Sequence, residues 1–265
     1  MTTLFFEIMS GLPRQGPGDT TCTRRALQAV PNVGPQTRLL DIGCGTGSQT
    51  RALLEYSPAR VLAIDNYPPF IEELNRQAQG LGLSDRLEAR VADMRALDFP
   101  TASFDMVWCE GAIYNVGFET ALREWRRLLV PGGHIVVTEV CWTTSDPPPE
   151  CAEFWMQEYP SIRSVPVLLH VIDACDYDCI AQFSMPESAW WDDYYRPLQQ
   201  NAARRDEVTS THPNRRSTGQ PGAFRAASIT RTTERSIHAA SRGDRAIQPR
   251  RVLRAARNIG AAVEG

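Results

Sequence analysis

A glycine-rich turn is the strongest chemical signal in this sequence. An apolar run with one acid, Leu39-Leu40-Asp41-Ile42, leads directly into Gly43-Cys44-Gly45-Thr46-Gly47. The apolar residues predict a buried strand, and the polar residues that follow the turn predict the start of a helix. Glycines permit a tight turn and a close approach of backbone to ligand, and a helix N-terminus offers free N–H groups. The turn therefore predicts a site for a nucleotide-like ligand.

The glycine spacing separates the candidate ligands. A dinucleotide motif GxGxxG needs its third glycine at position 48, but the sequence has Ser48 there and Gly47 before it. The phosphate-binding motif GxxxxGK[ST] is absent from the sequence, which contains no lysine at all. The spacing disfavours a phosphate-rich ligand and a nicotinamide-linked oxidoreductase, for which the sequence also offers no paired catalytic His or Lys.

Two further acids follow the next two apolar runs. Asp65 lies 22 residues after Gly43, where a carboxylate can accept hydrogen bonds from both hydroxyls of a ribose. Asp93, in Val91-Ala92-Asp93-Met94, is placed to reach an adenine amino group. Each acid alone could be a helix cap or a solvated turn residue. Together, at successive strand ends, they predict an adenosine site.

The elements that must position these residues alternate between strand and helix. Predicted strands lie at 38–42, 60–64, 87–92, 104–109, 134–140 and 179–185, and predicted helices at 21–30, 48–56, 68–81, 118–129, 150–159 and 165–175. A strand, crossover helix and strand in succession give parallel pairing with right-handed crossovers. The pattern predicts an α/β fold: a doubly wound, mostly parallel Rossmann-like sheet with helices on both faces.

The composition divides the chain into three parts. Residues 1–36, including the segment GLPRQGPGD at 11–19, are expected to form a lid or cap, and residues 37–200 the main domain, with substrate-pocket helices at 147–176. Residues 201–265 hold 13 arginines against 5 acids, whereas the first 200 residues carry a net charge of −11. So polar a segment is predicted to be a disordered tail or, as we favour, the product of a shifted reading frame.

Several other function classes have no support in the sequence. No apolar run approaches the roughly 20 residues that a membrane helix needs. The first residues, MTTLFFEIMSG, have no basic residue before their apolar patch, so a cytoplasmic location is expected. The seven cysteines form no CxxC pair and are interpreted as reduced thiols. The four histidines lie at no metal-ligand spacing, and no metal is expected.

At this point the sequence resembles a known family, the class I S-adenosylmethionine-dependent methyltransferases of the small-molecule type 11 group. The resemblance covers about residues 11–200 and rests on LLDIGCGTG, VLAIDNY, VADM, FDMVWCEGAIYNVGF and LREWRRLLVPGGHIVVTE. The segments GLPRQGPG and EGAIYNVGF resemble a narrower bacterial subgroup.

The resemblance implies S-adenosyl-L-methionine as the cofactor, S-adenosyl-L-homocysteine as its product, and a set of contact residues. The glycines would lie beside the methionine and ribose parts, Asp41 would orient the amino group, and Asp65 would bind the ribose. Asp93 and Met94 would hold the adenine. The full implied set is Asp41, Gly43, Cys44, Gly45, Gly47, Asp65, Asn66, Asp93, Met94, Glu110, Ala112 and Ile113.

For the residues that would contact the methyl acceptor, the sequence leaves more than one role open. Glu110, at the end of the fourth strand, is a candidate base, although a cofactor-contacting or structural role is equally open. Tyr114, Trp142 and Tyr159 could form a pocket wall or belong to the core. Enzymes that methylate nucleic-acid bases carry an (N/D)PP(Y/F) turn where this sequence has CEGAIYN, which favours a small-molecule acceptor. The alternative is a methyltransferase-like fold that binds nucleic acid, or serves as a scaffold, through its basic tail.

One feature of the family is expected to be missing. The fold normally ends with a long antiparallel strand, rich in aromatic residues, between strands five and six. Nothing in residues 201–265 resembles it, so we expect that strand to be absent and its neighbours to keep unpaired edges. The sequence leaves the oligomeric state open.

Overall fold

The computed structural model describes residues 9–201 and the backbone of residues 256–264. The strands are β1 Arg38–Ile42, β2 Arg60–Asp65, β3 Leu87–Val91, β4 Phe104–Cys109, β5 Leu129–Trp142, β6 Arg163–Ser164, β7 Asp178–Ser184 and β8 Ala256–Glu264. The helices are α1 Thr20–Ala29, α2 Ser48–Tyr56, α3 Pro68–Gly80, α4 Phe118–Trp125, α5 Pro149–Glu158 and α6 Val165–Ala174. Short helical turns lie at Ile113–Asn115, Arg126–Leu128, Ser188–Trp190 and Trp191–Tyr195.

The strands form one sheet whose order reverses between β1 and β4. The order is β3-β2-β1-β4-β5-β8-β7, and β6 pairs with the end of β5. The pairs from β3 to β5 are all parallel, which confirms the predicted Rossmann-like sheet. In such a sheet ligands bind at the carboxyl ends of the strands, where the order reverses. The ends of β1 and β4 are therefore the expected place for the site.

Both faces of the sheet are buried under helices. On one face Leu40, Val107 and Val137 pack with residues of α4 and α6, including the buried Trp125. On the other face Leu39 and Met106 pack with α1, α2 and α3. Consecutive residues of a strand point to opposite faces, so a strand buried on both sides reads as a continuous apolar run. The predicted helices and strands up to β4 are confirmed with shifts of one or two residues.

The fifth strand begins earlier than predicted. Helix α4 ends at Trp125 and a short turn follows, after which β5 starts at Leu129 and includes Pro131-Gly132-Gly133. The pairing of β5 with β4 shifts register between Phe104 and Met106, and Gly132 has a positive φ of 72°. Gly132 and Gly133, which lie outside the predicted strand 134–140, form an irregular start to β5, because a bulge tolerates that backbone.

The prediction that the final antiparallel strand is missing is wrong for the backbone described here. Strand β8 lies between β5 and β7 and pairs antiparallel with both, with Val136 opposite Ala262 and Phe183 opposite Gly260. The strand has no aromatic residue, which is why its sequence did not resemble the family's last strand. Residues 202–255, the greater part of the predicted tail, lie outside the described residues. Among the described residues, no helix has the length and apolar character needed to span a membrane.

Candidate functional site

The glycine turn connects β1 to α2 in a backbone that only glycine adopts readily. Gly43, Gly45 and Gly47 have φ values of 73°, 55° and 85°. A side chain at Gly43 would also collide, because its Cβ would lie 2.6 Å from the Cβ of Ala112 and 3.1 Å from the Cε of Met94. The turn from β1 thus comes close to residues that follow β3 and β4, and the three predicted regions converge.

Asp41 connects the strand before the glycine turn to the helix after it. Its carboxylate is fully buried and accepts hydrogen bonds from the Thr50 hydroxyl at 2.5 Å and the Gln49 amide at 3.3 Å. Burial is the main reason that its pKa is raised to about 7. These contacts tie β1 to α2 on either side of the turn. The predicted role of Asp41 toward a ligand amino group stays a prediction, since its carboxylate faces the helix.

Asp65 docks onto the glycine turn from the end of β2. One carboxylate oxygen accepts the N–H of Gly45 at 3.0 Å, and the other accepts the N–H of Tyr67 at 3.0 Å. Burial raises the pKa of Asp65, while the backbone hydrogen bonds oppose that rise. Each carboxylate oxygen has a second lone pair, so the group can still accept hydrogen bonds from a ligand. Asn66, the next residue, is exposed.

The residues predicted for the adenine side lie at the end of β3. Asp93 is exposed, and its carboxylate accepts the N–H of Arg95 at 2.9 Å. Met94 is half-buried and reaches the glycine turn through its methyl group, as described for Gly43. Ile113 is fully buried in the core. Cys44 is also buried, which raises the pKa of its thiol well above the ordinary value.

The segment of residues 11–19, which we call the lid segment, lies across the glycine turn. The side-chain oxygen of Gln15 accepts hydrogen bonds from the Thr46 N–H at 2.8 Å and the Thr46 hydroxyl at 3.0 Å. The backbone of Gly16 touches that of Gly111, since a Cβ on Gly16 would lie 3.4 Å from the Gly111 carbonyl oxygen. The lid segment therefore rests on the loops that follow β1 and β4.

A buried ion pair anchors the lid segment. The guanidinium of Arg14 lies 2.5 Å from the carboxylate of Glu110, and each side chain is only 4% exposed. Glu110 also accepts hydrogen bonds from the Thr23 hydroxyl at 2.8 Å and the Trp108 indole at 2.9 Å. Both oxygens of Glu110 are thus occupied by donors of the chain. These contacts argue against Glu110 as the base that takes a proton from an acceptor, and they favour its structural role.

Two of the three aromatic residues predicted for the pocket wall lie together. The rings of Tyr114 and Tyr159 are 6.2 Å apart and edge to face, and Tyr114 is 46% exposed. Trp142 pairs with Ser164 at the far end of β5, and alternation along that strand directs its side chain to the opposite face from residues 139 and 141. Tyr194 and Tyr195, which sequence reasoning missed, add neighbouring rings 5.0 Å apart, and burial, with a smaller contribution from Tyr114, raises the pKa of each.

Sequence reasoning also missed Glu139, near the carboxyl end of β5. Its side chain is 3% exposed, and burial raises its pKa to about 8. The hydroxyl of Tyr159 is its hydrogen-bonding neighbour, and its oxygen Oε2 has no partner among the described residues. The signal was available, because Glu139 is an acid at a strand end like Asp65 and Glu110. Arg14 and Gln15 gave no comparable signal, since their partners are distant in sequence.

A depression at the other edge of the sheet is separate from this site. It has a volume of about 380 Å³ and lies at the starts of β1, β2 and β3. Arg38 there is paired with Asp105, and Arg86 donates to backbone carbonyls of Ser57 and Leu54. Its arginines hold the structure together, and the strand ends that carry the glycine turn lie at the opposite edge.

Known proteins with related sequences share the same domain. The family described as "Methyltransferase domain" matches residues 40–137. Demethylmenaquinone methyltransferase of Thermus thermophilus is 38% identical over 137 residues, which are 51% of this chain and 58% of that protein. Phosphoethanolamine N-methyltransferase 1 of Arabidopsis thaliana is 29% identical over 181 residues, which are 68% of this chain and 36% of that protein. The chain thus spans little more than half the length of the first relative and about a third of the second.

A solved structure gives the same result for the fold. The SAM-dependent methyltransferase of Geobacter sulfurreducens, in complex with S-adenosyl-L-homocysteine, superposes with a TM-score of 0.76 at 20% identity, over 99% of this chain and 98% of that one. At this identity the likeness concerns the fold alone. Residues 40–137 therefore match a methyltransferase domain, and the fold of the chain is that of the methyltransferases that its glycine turn and strand-end acids resemble.

Proposed function

We propose that this protein transfers a methyl group from S-adenosyl-L-methionine to a small-molecule acceptor. The observation that carries the proposal is the contact between the Asp65 carboxylate and the N–H of Gly45, which places a hydrogen-bond acceptor beside the glycine turn. The related protein from Geobacter sulfurreducens holds the demethylated form of this cofactor. The two curated relatives named above act on different small molecules, which supports an acceptor of that class.

The residues present fit such a cofactor. The glycines keep the backbone of the turn close to Ala112 and Gln15, with no side chain at Gly43 or Gly45, and Asp65 keeps acceptor capacity for ribose hydroxyls. Asp93 and Met94, at the end of the neighbouring strand, would hold the adenine, and Ala112 would line the methionine side. When bound, the cofactor supplies a methyl group activated by a positively charged sulfur.

The chain's own residues would then align the reactants and exclude water. The backbone of residues 43–47 would fix the position of the donor, and the lid segment, held by Gln15 and the Arg14–Glu110 pair, would cover it. Holding two reactants in line can lower a barrier by about 7–11 kcal/mol in favourable cases. A covalent nucleophile on the protein is not needed for this chemistry.

The experiment is a calorimetric titration of the purified protein with S-adenosyl-L-homocysteine. We expect binding that Asp65→Ala weakens by about 1–3 kcal/mol, or roughly 5- to 150-fold, because a buried polar group of the ligand loses its partner. Asp105→Ala is the matched control. Asp105 also accepts a backbone N–H, that of Arg38 at 2.8 Å, but at the opposite edge of the sheet. Absence of binding by the unaltered protein would contradict the proposal, and equal weakening by both variants would remove Asp65 from its role.

Nothing in the comparisons or in the described residues supports the alternative of a nucleic-acid module. The basic segment on which that alternative depends falls mostly in residues 202–255, outside the described residues. We also propose a cytoplasmic location, supported by the seven cysteines, all of which are free thiols.

A further inference from the structure

Glu139 is a buried acid that has no role in the methyl transfer proposed above. It is 3% exposed, and its Oε2 has no hydrogen-bond partner among the described residues. A buried carboxyl oxygen without a partner is unfavourable, because the group has lost water and gained nothing in return. Such an oxygen is expected to meet its partner in a bound molecule.

The surroundings of Glu139 are aromatic and carry phenol groups. The Tyr159 hydroxyl is its hydrogen-bonding neighbour, and the Tyr159 ring stands edge to face with Tyr114 at 6.2 Å. Tyr114 is 46% exposed, so this pair of rings borders open solvent. The Glu139–Tyr114–Tyr159 cluster therefore combines a hidden acid with an accessible aromatic edge.

No cation of the chain neutralises this acid within the described residues. Their ion pairs all involve other carboxylates, among them Glu110, Asp105 and Glu119. Arg163 affects the pKa of Tyr159 but forms no ion pair with Glu139. A buried acid is normally paired with a cation or uncharged. The cluster is thus complementary to a cation from outside.

The chemical class of that ligand follows from the same groups. A carboxylate binds an ammonium by charge and hydrogen bond, and tyrosine rings attract cations through their faces. An anionic ligand would disfavour the ionised form of Glu139 still further, and an apolar one would leave Oε2 without a partner. We propose that the methyl acceptor is a small amine whose nitrogen binds between Glu139, Tyr114 and Tyr159, with Glu139 as its proton acceptor. This inference rests on the proposed methyl transfer and names its substrate class.

The proton and electron changes balance for such an acceptor. The amine enters as an ammonium, one N–H bond breaks, and the proton passes to the Glu139 carboxylate. The freed nitrogen lone pair forms the bond to the methyl carbon, while the electron pair of the broken carbon–sulfur bond stays on sulfur. The positive charge of the sulfonium donor ends on the methylated nitrogen. Binding of the cation favours the ionised form of Glu139, which offsets the effect of burial on its pKa.

The test compares two probes of nearly equal shape by calorimetry or ligand-observed NMR. They are 2-dimethylaminoethanol, which carries a protonated nitrogen, and 3-methylbutan-1-ol, which has a carbon in its place. Each is titrated into the full chain with and without saturating S-adenosyl-L-homocysteine. We expect the amine to bind at least about tenfold more tightly, and Glu139→Gln to abolish that preference. Glu119→Gln, an exposed acid on α4, should leave the preference unchanged.

The outcomes separate this inference from the proposed function. Glu139→Gln should bind S-adenosyl-L-homocysteine as the unaltered protein does, which also shows that the variant is folded. Equal binding of the two probes, binding of neither, or a preference that survives Glu139→Gln would overturn the inference while the proposed methyl transfer still stands. Loss of S-adenosyl-L-homocysteine binding in the unaltered protein would instead overturn the proposed function.

Discussion

Replacing Arg14 by methionine tests whether a buried ion pair holds the lid segment on the sheet. Methionine keeps much of the volume and removes the charge, so Glu110 remains buried with only Thr23 and Trp108 as donors. Removing one partner of a buried pair typically costs about 3–5 kcal/mol, because the other charge is left uncompensated. Two hydrogen bonds remain on Glu110, so we expect a loss near 3 kcal/mol in the free energy of unfolding.

The assay is urea denaturation of four proteins: the unaltered chain, Arg14→Met, Glu110→Gln, and the double variant. Removing both charges eliminates the unpaired ion, so the double variant should be more stable than the sum of the two single losses implies, by about 2 kcal/mol or more. Arg123→Met is the matched control. Arg123 pairs with Glu119 at 2.9 Å, but the two side chains are 53% and 56% exposed, so the stability lost in Arg123→Met should be much smaller than that lost in Arg14→Met. A loss below about 1 kcal/mol for Arg14→Met, or additive single losses, would refute this reasoning.

Three further predictions concern the glycine turn and its support. Asp41→Asn should change the pH dependence of stability: the pKa of Asp41 is about 7 in the fold and about 4 when unfolded, so its contribution is complete below pH 4 and is lost as pH rises to 7. Between pH 4 and pH 8, the free energy of unfolding of the asparagine variant, measured by urea titration, should therefore rise by a few kcal/mol relative to that of the unaltered chain. A difference between the two proteins that does not change with pH would contradict this. Gly43→Ala should lower the thermal midpoint and abolish S-adenosyl-L-homocysteine binding, because its Cβ meets Ala112 and its φ is 73°; Gly80→Ala, where nothing lies within 4 Å, is the control. Gln15→Ala should speed dissociation of S-adenosyl-L-homocysteine in stopped-flow experiments, and the exposed Gln157→Ala should not.

The parts of the site that sequence reasoning predicted are local in the chain. The glycine turn follows directly from β1, and Asp65 and Asp93 follow directly from the next strands, so each signal fits within a few residues. Parallel strands bring their carboxyl ends to one edge, and the convergence of Gly43, Met94 and Ala112 is what that rule predicts.

The parts that it missed depend on contacts between distant residues. Arg14 and Glu110 are 96 positions apart, and no pattern near either residue indicates the pairing. From its place at a strand end, Glu110 was therefore a candidate base as well as a candidate structural carboxylate, and in the fold its oxygens are already occupied. Strand β8 was not predicted for a different reason. Small residues such as Gly260 and Ala261 have a low strand propensity, and the strand is stabilised instead by pairing with two neighbouring strands.

The contacts between the lid segment and the loops of the site set the order of events in a reaction cycle. Gln15 contacts Thr46, and the backbones of Gly16 and Gly111 touch, so a molecule enclosed beneath these loops departs only after those contacts break. Release of the spent donor would then wait for detachment of residues 11–19, and the pace of repeated turnover becomes a property of a loop rather than of the reacting atoms.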